Sequence, residues 1–233
     1  MIQIKNNSAF VKSLDQIAVF TDECNIHFND EGIKILAFDN AQIIYLEYFL
    51  SKDGIGGEIP SAVFGINITE FNKILSKINS QDLLYLDIKD NCLDLIIKGQ
   101  YSRSFSFPQK IVDEKKLDVY TDDYPINFQI EGDILKDIFI SARVVSDAIL
   151  FDCKDKELAI SSEGIYGRYK TKISANTKAP VKAKFSSIHL SNMLKNASLD
   201  TKIDVKLSPR HPFYISYSIG NNNLRFFLAH MFI

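Results

Sequence analysis

One internal repetition constrains this 233-residue sequence more than any other feature. Shifted by 125 positions, Phe10 meets Leu135, Leu14 meets Phe139 and Asp22 meets Asp147. At the same shift Ile26 meets Phe151, Asp30 meets Asp155, Ile33 meets Leu158 and Ile35 meets Ile160. A shift of 119 aligns Phe71, Ile74 and Leu75 with Leu190, Met193 and Leu194, and keeps Leu84 and Leu86 in step with Ile203 and Val205. Single apolar matches are commonplace. An order of helix, strand, strand, helix, strand held at two nearly equal offsets is not. The expectation is an α+β chain of two similar domains, each with two helices packed on antiparallel sheets.

Periodicity places the elements. Strand-like alternation runs through Ile33–Ala37, Leu93–Ile97, Ile203–Leu207 and Tyr214–Ile219. Four segments switch to helical spacing: Phe10, Leu14, Ile17 and Ala18; Phe71, Ile74, Leu75 and Ile78; Leu135, Ile138, Phe139 and Ala142; Leu190, Met193, Leu194 and Ala197. Asn67 followed by Glu70 predicts a capping box at the second helix. Periodicity lapses between Pro108 and Pro125, where the chain is mostly charged. The expected division is therefore a first domain over 1–108, a connecting loop over 109–124 and a second domain over 125–233. The loop reads either as a solvated linker or, because it carries Leu117, Val119 and Tyr120, as a docking strip.

Composition excludes several classes. No stretch approaches the roughly 20 apolar residues of a membrane-spanning helix, and Met1–Lys5 alternates like a strand without the apolar run of a signal peptide. Cys24, Cys92 and Cys153 have no metal-like spacing and read as buried thiols. A formal charge of −2 gives no global nucleic-acid signature. His27, His189, His211 and His230 are scattered. Gly54, Gly56 and Gly57 suggest a flexible loop, but no Gly-Lys-Ser/Thr follows, and no Gly-x-Ser-x-Gly elbow occurs. The acid pair Asp122-Asp123 falls in the linker and reads as solvating. Neither a metal nor a cofactor is expected, and the chain reads as a non-enzyme.

Several segments resemble, in order, the DNA sliding clamps of the proliferating cell nuclear antigen family. Glu31–Asp39 followed by Ile43–Leu46 resembles the family's first-domain strand pair, and Tyr101–Pro108 its last first-domain strand. The linker is similar to the family's interdomain connecting loop. Phe151–Arg168, with Ser162-Glu163-Gly164, resembles the second-domain Ala-Glu-Gly-Asp region, with Ile165 in place of the acid. Leu224–Ala229 resembles the C-terminal strand.

The resemblance implies a ring of three subunits closed by edge pairing, with helices lining the hole and duplex DNA enclosed without sequence readout. The implied interface edges are Tyr101–Phe107 and roughly Lys170–Phe185. The implied DNA-facing residues are Lys12, Lys73, Lys77, Lys136, Arg143 and Lys195, diluted by Asp15, Glu70 and Asp137; ordinary solvated cations are the alternative. Ile140 falls on the Lys136–Arg143 face.

The implied partner-peptide pocket takes Phe38, Gln42 and Ile43 as floor, with Leu117 and Val119 as one wall and Pro212, Phe227 and Ala229 as another. Where the family reads Ala-Pro-basic, this chain has Ala229-His230-Met231, and the loss of proline is expected to free the following residues. The implied partners are DNA polymerase, flap endonuclease, DNA ligase and clamp loader, with sister or identical clamp chains completing a homotrimer or heterotrimer, and no membrane. The implied location is the nucleoid of an archaeon or the nucleus of a eukaryote. A checkpoint-type clamp for DNA damage is the nearer alternative function, and an α+β hydrolase the more distant one.

Overall fold

Phe10, Leu14 and Ile17 form the buried stripe of the first helix, α1 (Asn7–Ile17), whose N-cap Asn6 accepts a hydrogen bond from the Ala9 amide. In the computed structural model, which describes residues 1–115, 117, 124–198 and 200–232, the chain divides into two units. The first comprises Met1–Lys116 with Ser218–Leu224; the second comprises Leu117–Tyr217 with Arg225–Ile233.

The first unit begins with β1 (Ile2–Ile4) and α1. There follow β2 (Glu23–Asn29), β3 (Gly32–Phe38), β4 (Ile44–Ser51), β5 (Ile55–Gly56) and β6 (Ala62–Asn67). Helix α2 (Ile68–Leu75) leads into β7 (Leu83–Lys89), β8 (Cys92–Lys98) and β9 (Ser102–Pro108). One sheet has the order β5-β1-β7-β8-β9, and β4-β3-β2-β6 run side by side in another. All described pairings are antiparallel, and the alternation expected from the sequence puts Cys24, Ile26 and Phe28 inward while Glu23, Asn25 and His27 face out.

The second unit repeats this plan. Its elements are β10 (Ile126–Glu131), α3 (Gly132–Val145), β11 (Ala148–Lys154), β12 (Glu157–Gly164), β13 (Gly167–Ser174) and β14 (Val181–Ser186). Then come α4 (Ser187–Met193), β15 (Lys202–Leu207), β16 (Phe213–Ile219) and β17 (Asn222–Leu228), the end of β16 and the start of β17 falling in the first unit. The strand orders are β13-β12-β11-β14 and β10-β15-β16-β17. Phe151, Phe185 and Phe213 form the centre of the core, with ring centroids 5.1 to 5.8 Å apart and each ring fully buried.

The duplication is visible in single hydrogen bonds. β2 and β11 lie 125 residues apart at both ends, and β6 and β14 lie 119 apart. The Asp22 carbonyl accepts from the Ile68 amide (2.9 Å), and the Asp147 carbonyl accepts from the Ser187 amide (3.0 Å), at matching positions of the two copies. The chain after the last strand of each copy also behaves alike. Lys110 N donates to Gly65 O, and Met231 N donates to Lys184 O, both at 2.8 Å. Gly65 and Lys184 are themselves 119 apart.

Several expectations change. α2 stops at Leu75, so Lys77 and Ile78 lie beyond it; the Ser76 hydroxyl donates to Lys73 O, and Lys77 N donates to Ile74 O, tightening the last turn. α4 stops at Met193, although Leu194 and Ala197 are buried in the turns that follow, which is why helical spacing outlasted the helix. Half of the capping box forms: Asn67 accepts from Glu70 N, but the Glu70 carboxylate pairs with Lys73. The Gly54–Gly57 stretch is an ordered turn and the short strand β5; a Cβ on Gly54 would stand 2.6 Å from Leu50 Cδ1. Cys24 and Cys153 are buried, but Cys92 at the start of β8 is only half-buried.

Candidate functional site

In the first unit, Asp39 organises the turn between β3 and β4. Its Oδ1 accepts from Ile43 N (2.8 Å) and Ile44 N (2.7 Å), and its carbonyl accepts from Gln42 N. This turn holds Gln42 at a φ of 57° and leaves Ile43 36% exposed. Phe38 lies half-buried beside Tyr45, ring centroids 4.9 Å apart. The three residues expected as a pocket floor are therefore brought together by one turn.

A cavity of about 260 Å³ opens next to them, lined by Cys24, Asn25, Leu36, Phe38, Gln42 and residues 112–115, among others. Its far wall is the start of the linker. Asn25 Nδ2 donates to Val112 O (3.0 Å), His27 pairs with Glu114, Lys110 pairs with Glu23, and Lys115 Nζ donates to Gln42 Oε1 (3.0 Å). Residues 110–115 are thus a strap laid over the outer face of β2 rather than a solvated spacer. Gly65 permits it: a Cβ there would stand 2.1 Å from Lys110 O. Burial, and then the charge of Glu114, pushes the Cys24 thiol up to about 12, so it lines the cavity as an inert apolar group.

In the second unit, Leu117 is 38% exposed, Pro212 is half-buried and Ala229 is exposed. Phe227 is buried, packed 5.1 Å from Tyr214, and so acts as core. Tyr124 is buried and donates to Pro212 O (2.8 Å). Val119, Tyr120, Asp122 and Asp123 lie outside the described residues, as does Ile233. The expectation that residues after Ala229 are freed is corrected for His230 and Met231, while Phe232 is fully exposed. His230 Nε2 bonds to His211 O (2.6 Å), its ring packs 4.7 Å from Phe185, and the Met231 amide takes the open edge of β14. An edge strand supplies the backbone partner that a proline would not have needed.

The expected DNA-facing cations all lie on or just beyond helices. Lys12 is exposed on α1 and Lys73 on α2, and these helices pack together through Asn72 Nδ2 donating to Asp15 Oδ1. Lys77 and Lys195 sit in the turns following α2 and α4. Lys136 reaches across α3 and donates to Lys195 O (3.1 Å), while Arg143 is exposed near the end of α3. The α3 surface is less basic than the cations alone suggest. Asp133, Asp137, Ile140 and Val144, spaced four, three and four residues apart, are all exposed.

The N-terminal domain model of the proliferating cell nuclear antigen family matches residues 1–114, and the C-terminal domain model matches residues 124–232. The chain belongs to the proliferating cell nuclear antigen family of sliding clamps. It is 26% identical to the DNA polymerase sliding clamp of Thermococcus sibiricus, over 94% of this chain and 93% of that one. It is 23% identical to the proliferating cell nuclear antigen of Chaetomium thermophilum, over 97% and 96%. The fold matches that of the clamp from Thermococcus kodakaraensis with a TM-score of 0.90 at 18% identity, over 99% of this chain and 100% of that one. For the Entamoeba histolytica protein the TM-score is 0.89 at 20% identity, over 99% and 98%.

Within this family frame, the site residues that sequence reasoning missed are those of the strap: Asn25, His27, Lys110 and Glu114. Each is a polar residue on an outward strand position or in the linker, so periodicity assigns it to solvent. The one available signal was Gly65, a glycine inside a strand, which marks close approach of another backbone.

Proposed function

We propose that this chain is one subunit of a three-subunit ring that encloses duplex DNA and tethers DNA polymerase and other replication and repair proteins to it. The observation that carries the reading is the end-to-end match of both domain models across a chain whose whole fold resembles known clamps. A clamp works by enclosure rather than by catalysis, and the chain's place is with the replicated DNA. Strands β9 and β13 end their sheets, each with one side unpaired among the described strands. Antiparallel pairing of β9 with β13 of a neighbour satisfies both edges and closes a ring through repeated heterologous contacts. Identical chains or sister chains fill the three places.

Enclosure needs only mild attraction to phosphate, and Lys12, Lys73, Lys77, Lys136, Arg143 and Lys195 supply it. Partner peptides insert apolar anchors beside Phe38, Gln42 and Ile43.

Light scattering on the purified chain, alone and with candidate sister chains, tests the assembly. Phe105→Pro in β9 is expected to abolish the ring while both units stay folded, because proline removes a ladder donor. An unchanged assembly mass for that variant would remove β9 from the interface. Replacing the six cations together by alanine is expected to reduce polymerase processivity more steeply as salt rises. Equal processivity at all salt concentrations would show that these side chains do not face DNA.

A further inference from the structure

The two copies differ in what covers their outer faces. In the first unit the strap of residues 110–115 lies over the row Gly65–Asn25–Leu36: it pairs with Gly65 of β6, bonds to Asn25 and His27 of β2, and faces Leu36 of β3 across the cavity. At the offsets of 119 and 125, the matching row in the second unit is Lys184–Leu150–Ser161 of β14, β11 and β12. Met231 begins the same crossing by bonding to Lys184 O, but Phe232 is fully exposed and leaves the face. Among the described residues, no strap covers the rest of this row.

Its chemistry also differs. Lys170 of β13 extends the row beyond Ser161, and Lys182 replaces the counterpart Val63. Four strands spaced about 4.8 Å apart put Lys170 and Lys184 about 14 Å from each other, flanking Leu150. Lys170, Lys182 and Lys184 have no ion-pair partner among the described residues. Of the acids on this face, Glu157 pairs with Lys172 (2.7 Å) and Glu163 with Arg168 (2.7 Å), while Asp152 stands opposite Lys182 in the register and 3.9 Å from Lys154.

We propose that this open face of the second unit docks an extended acidic peptide, lying across Lys184, Leu150, Ser161 and Lys170 as residues 110–115 lie across the first unit. The strap shows that the fold accepts an extended segment in this orientation. The three unpaired lysines set the charge of the occupant, and Leu150 gives one apolar contact between them. The proposal concerns the second unit alone and involves no polymerase; Lys170 lies on β13, the strand proposed above to pair with a neighbouring subunit.

The test titrates the full chain into a fluorescein-labelled octapeptide of alternating Glu and Val, with a Lys-Val octapeptide and a labelled single-stranded DNA as controls. Saturable binding of the acidic peptide is expected, with hydrogen-exchange protection confined to β11, β12, β13 and β14. The Lys170→Gln/Lys182→Gln/Lys184→Gln variant is expected to bind it about tenfold more weakly, the sum of three surface pairs. These side chains project from the face, and an unchanged melting temperature shows that the variant is folded; single Lys→Gln variants serve if it is not. Equal affinity for variant and wild type, protection elsewhere, or no binding would overturn the proposal. So would DNA binding that the variant loses while peptide binding persists, since the face would then recognise nucleic acid.

Discussion

In the first unit residues 110–115 cover part of the outer face; in the second, built on the same plan, the matching chain reaches only Lys184 among the described residues. The comparison separates what the fold requires from what each copy has added. The Asp22–Ile68 and Asp147–Ser187 hydrogen bonds are common to both and tie each inner helix to its sheet. Asn25, His27 and Gly65 belong to the strapped copy; Leu150, Asp152 and Lys184 stand in their places in the open one. The scaffold thus accepts different outward rows on one inward plan.

The largest effect should come from breaking what the copies share. Phe151→Ala empties the centre of the second unit's aromatic cluster and is expected to cost about 3–5 kcal/mol. Denaturant melts followed by hydrogen exchange should then show the second unit opening first. Loss of protection in β2, β3 and β6 to the same degree would mean that the units do not melt separately.

A smaller change sharpens the contrast. Gly65→Ala places a methyl group 2.1 Å from Lys110 O, so the strap must shift, at about 1–3 kcal/mol. The counterpart change Lys184→Ala should stay within about 0.5 kcal/mol, because it only trims a side chain on an open face. Similar losses for both, measured by urea titration, would show that the strap is not seated on Gly65. Removing one strap contact, Asn25→Ala, is expected to cost about 1 kcal/mol and to expose residues 109–115 to limited proteolysis. Unchanged cleavage would assign the strap to its other contacts.

The smallest effect is a difference in thiol chemistry. Burial raises both the Cys24 and Cys153 thiols, Cys24 to about 12 with a further contribution from Glu114, so burial disfavours the thiolate at both. Cys92 is half-buried. Mass spectrometry after brief alkylation of the folded chain should find Cys92 modified and the other two intact, with all three reacting in denaturant. Rapid modification of Cys24 would show that the cavity beside the strap opens in solution.

The sequence carried the fold because the fold is mostly inward-facing. Phe10 with Leu135, Ile26 with Phe151 and Phe71 with Leu190 are buried in both copies, so their periodicity and their repetition survive in the text. Helix ends were less legible. Ile78, Leu194 and Ala197 keep helical spacing after the backbone has left the helix, since a tight turn can bury the same face. The outward site was hardest to read. Asn25, His27 and Glu114 look like solvated polar residues until the strap is seen, and nothing in local pattern announces a contact between positions 87 residues apart. The pinning of Met231 was missed for a similar reason: backbone pairing at a sheet edge leaves no mark on side-chain identity.

The change of offset from 125 to 119 has its own consequence. It falls between β3 and β6 in one copy and between β12 and β14 in the other. There the first unit spends residues on a turn and on β5, which flanks β1 at Gln3 and Ile4. The second unit has only residues 175–180, from which Thr177 touches Ile126 in a single bridge. Ten residues (52–61) join β4 to β6 where six (175–180) join β13 to β14, which is four of the net six-residue difference; the register partners Ser51 and Ser174 stand 123 apart, so the other two lie in the turn before β4. The joint before β14 is a place where the gene tolerates insertion. A reporter peptide or purification tag placed between Asn176 and Pro180 would exploit a site that descent has already tested.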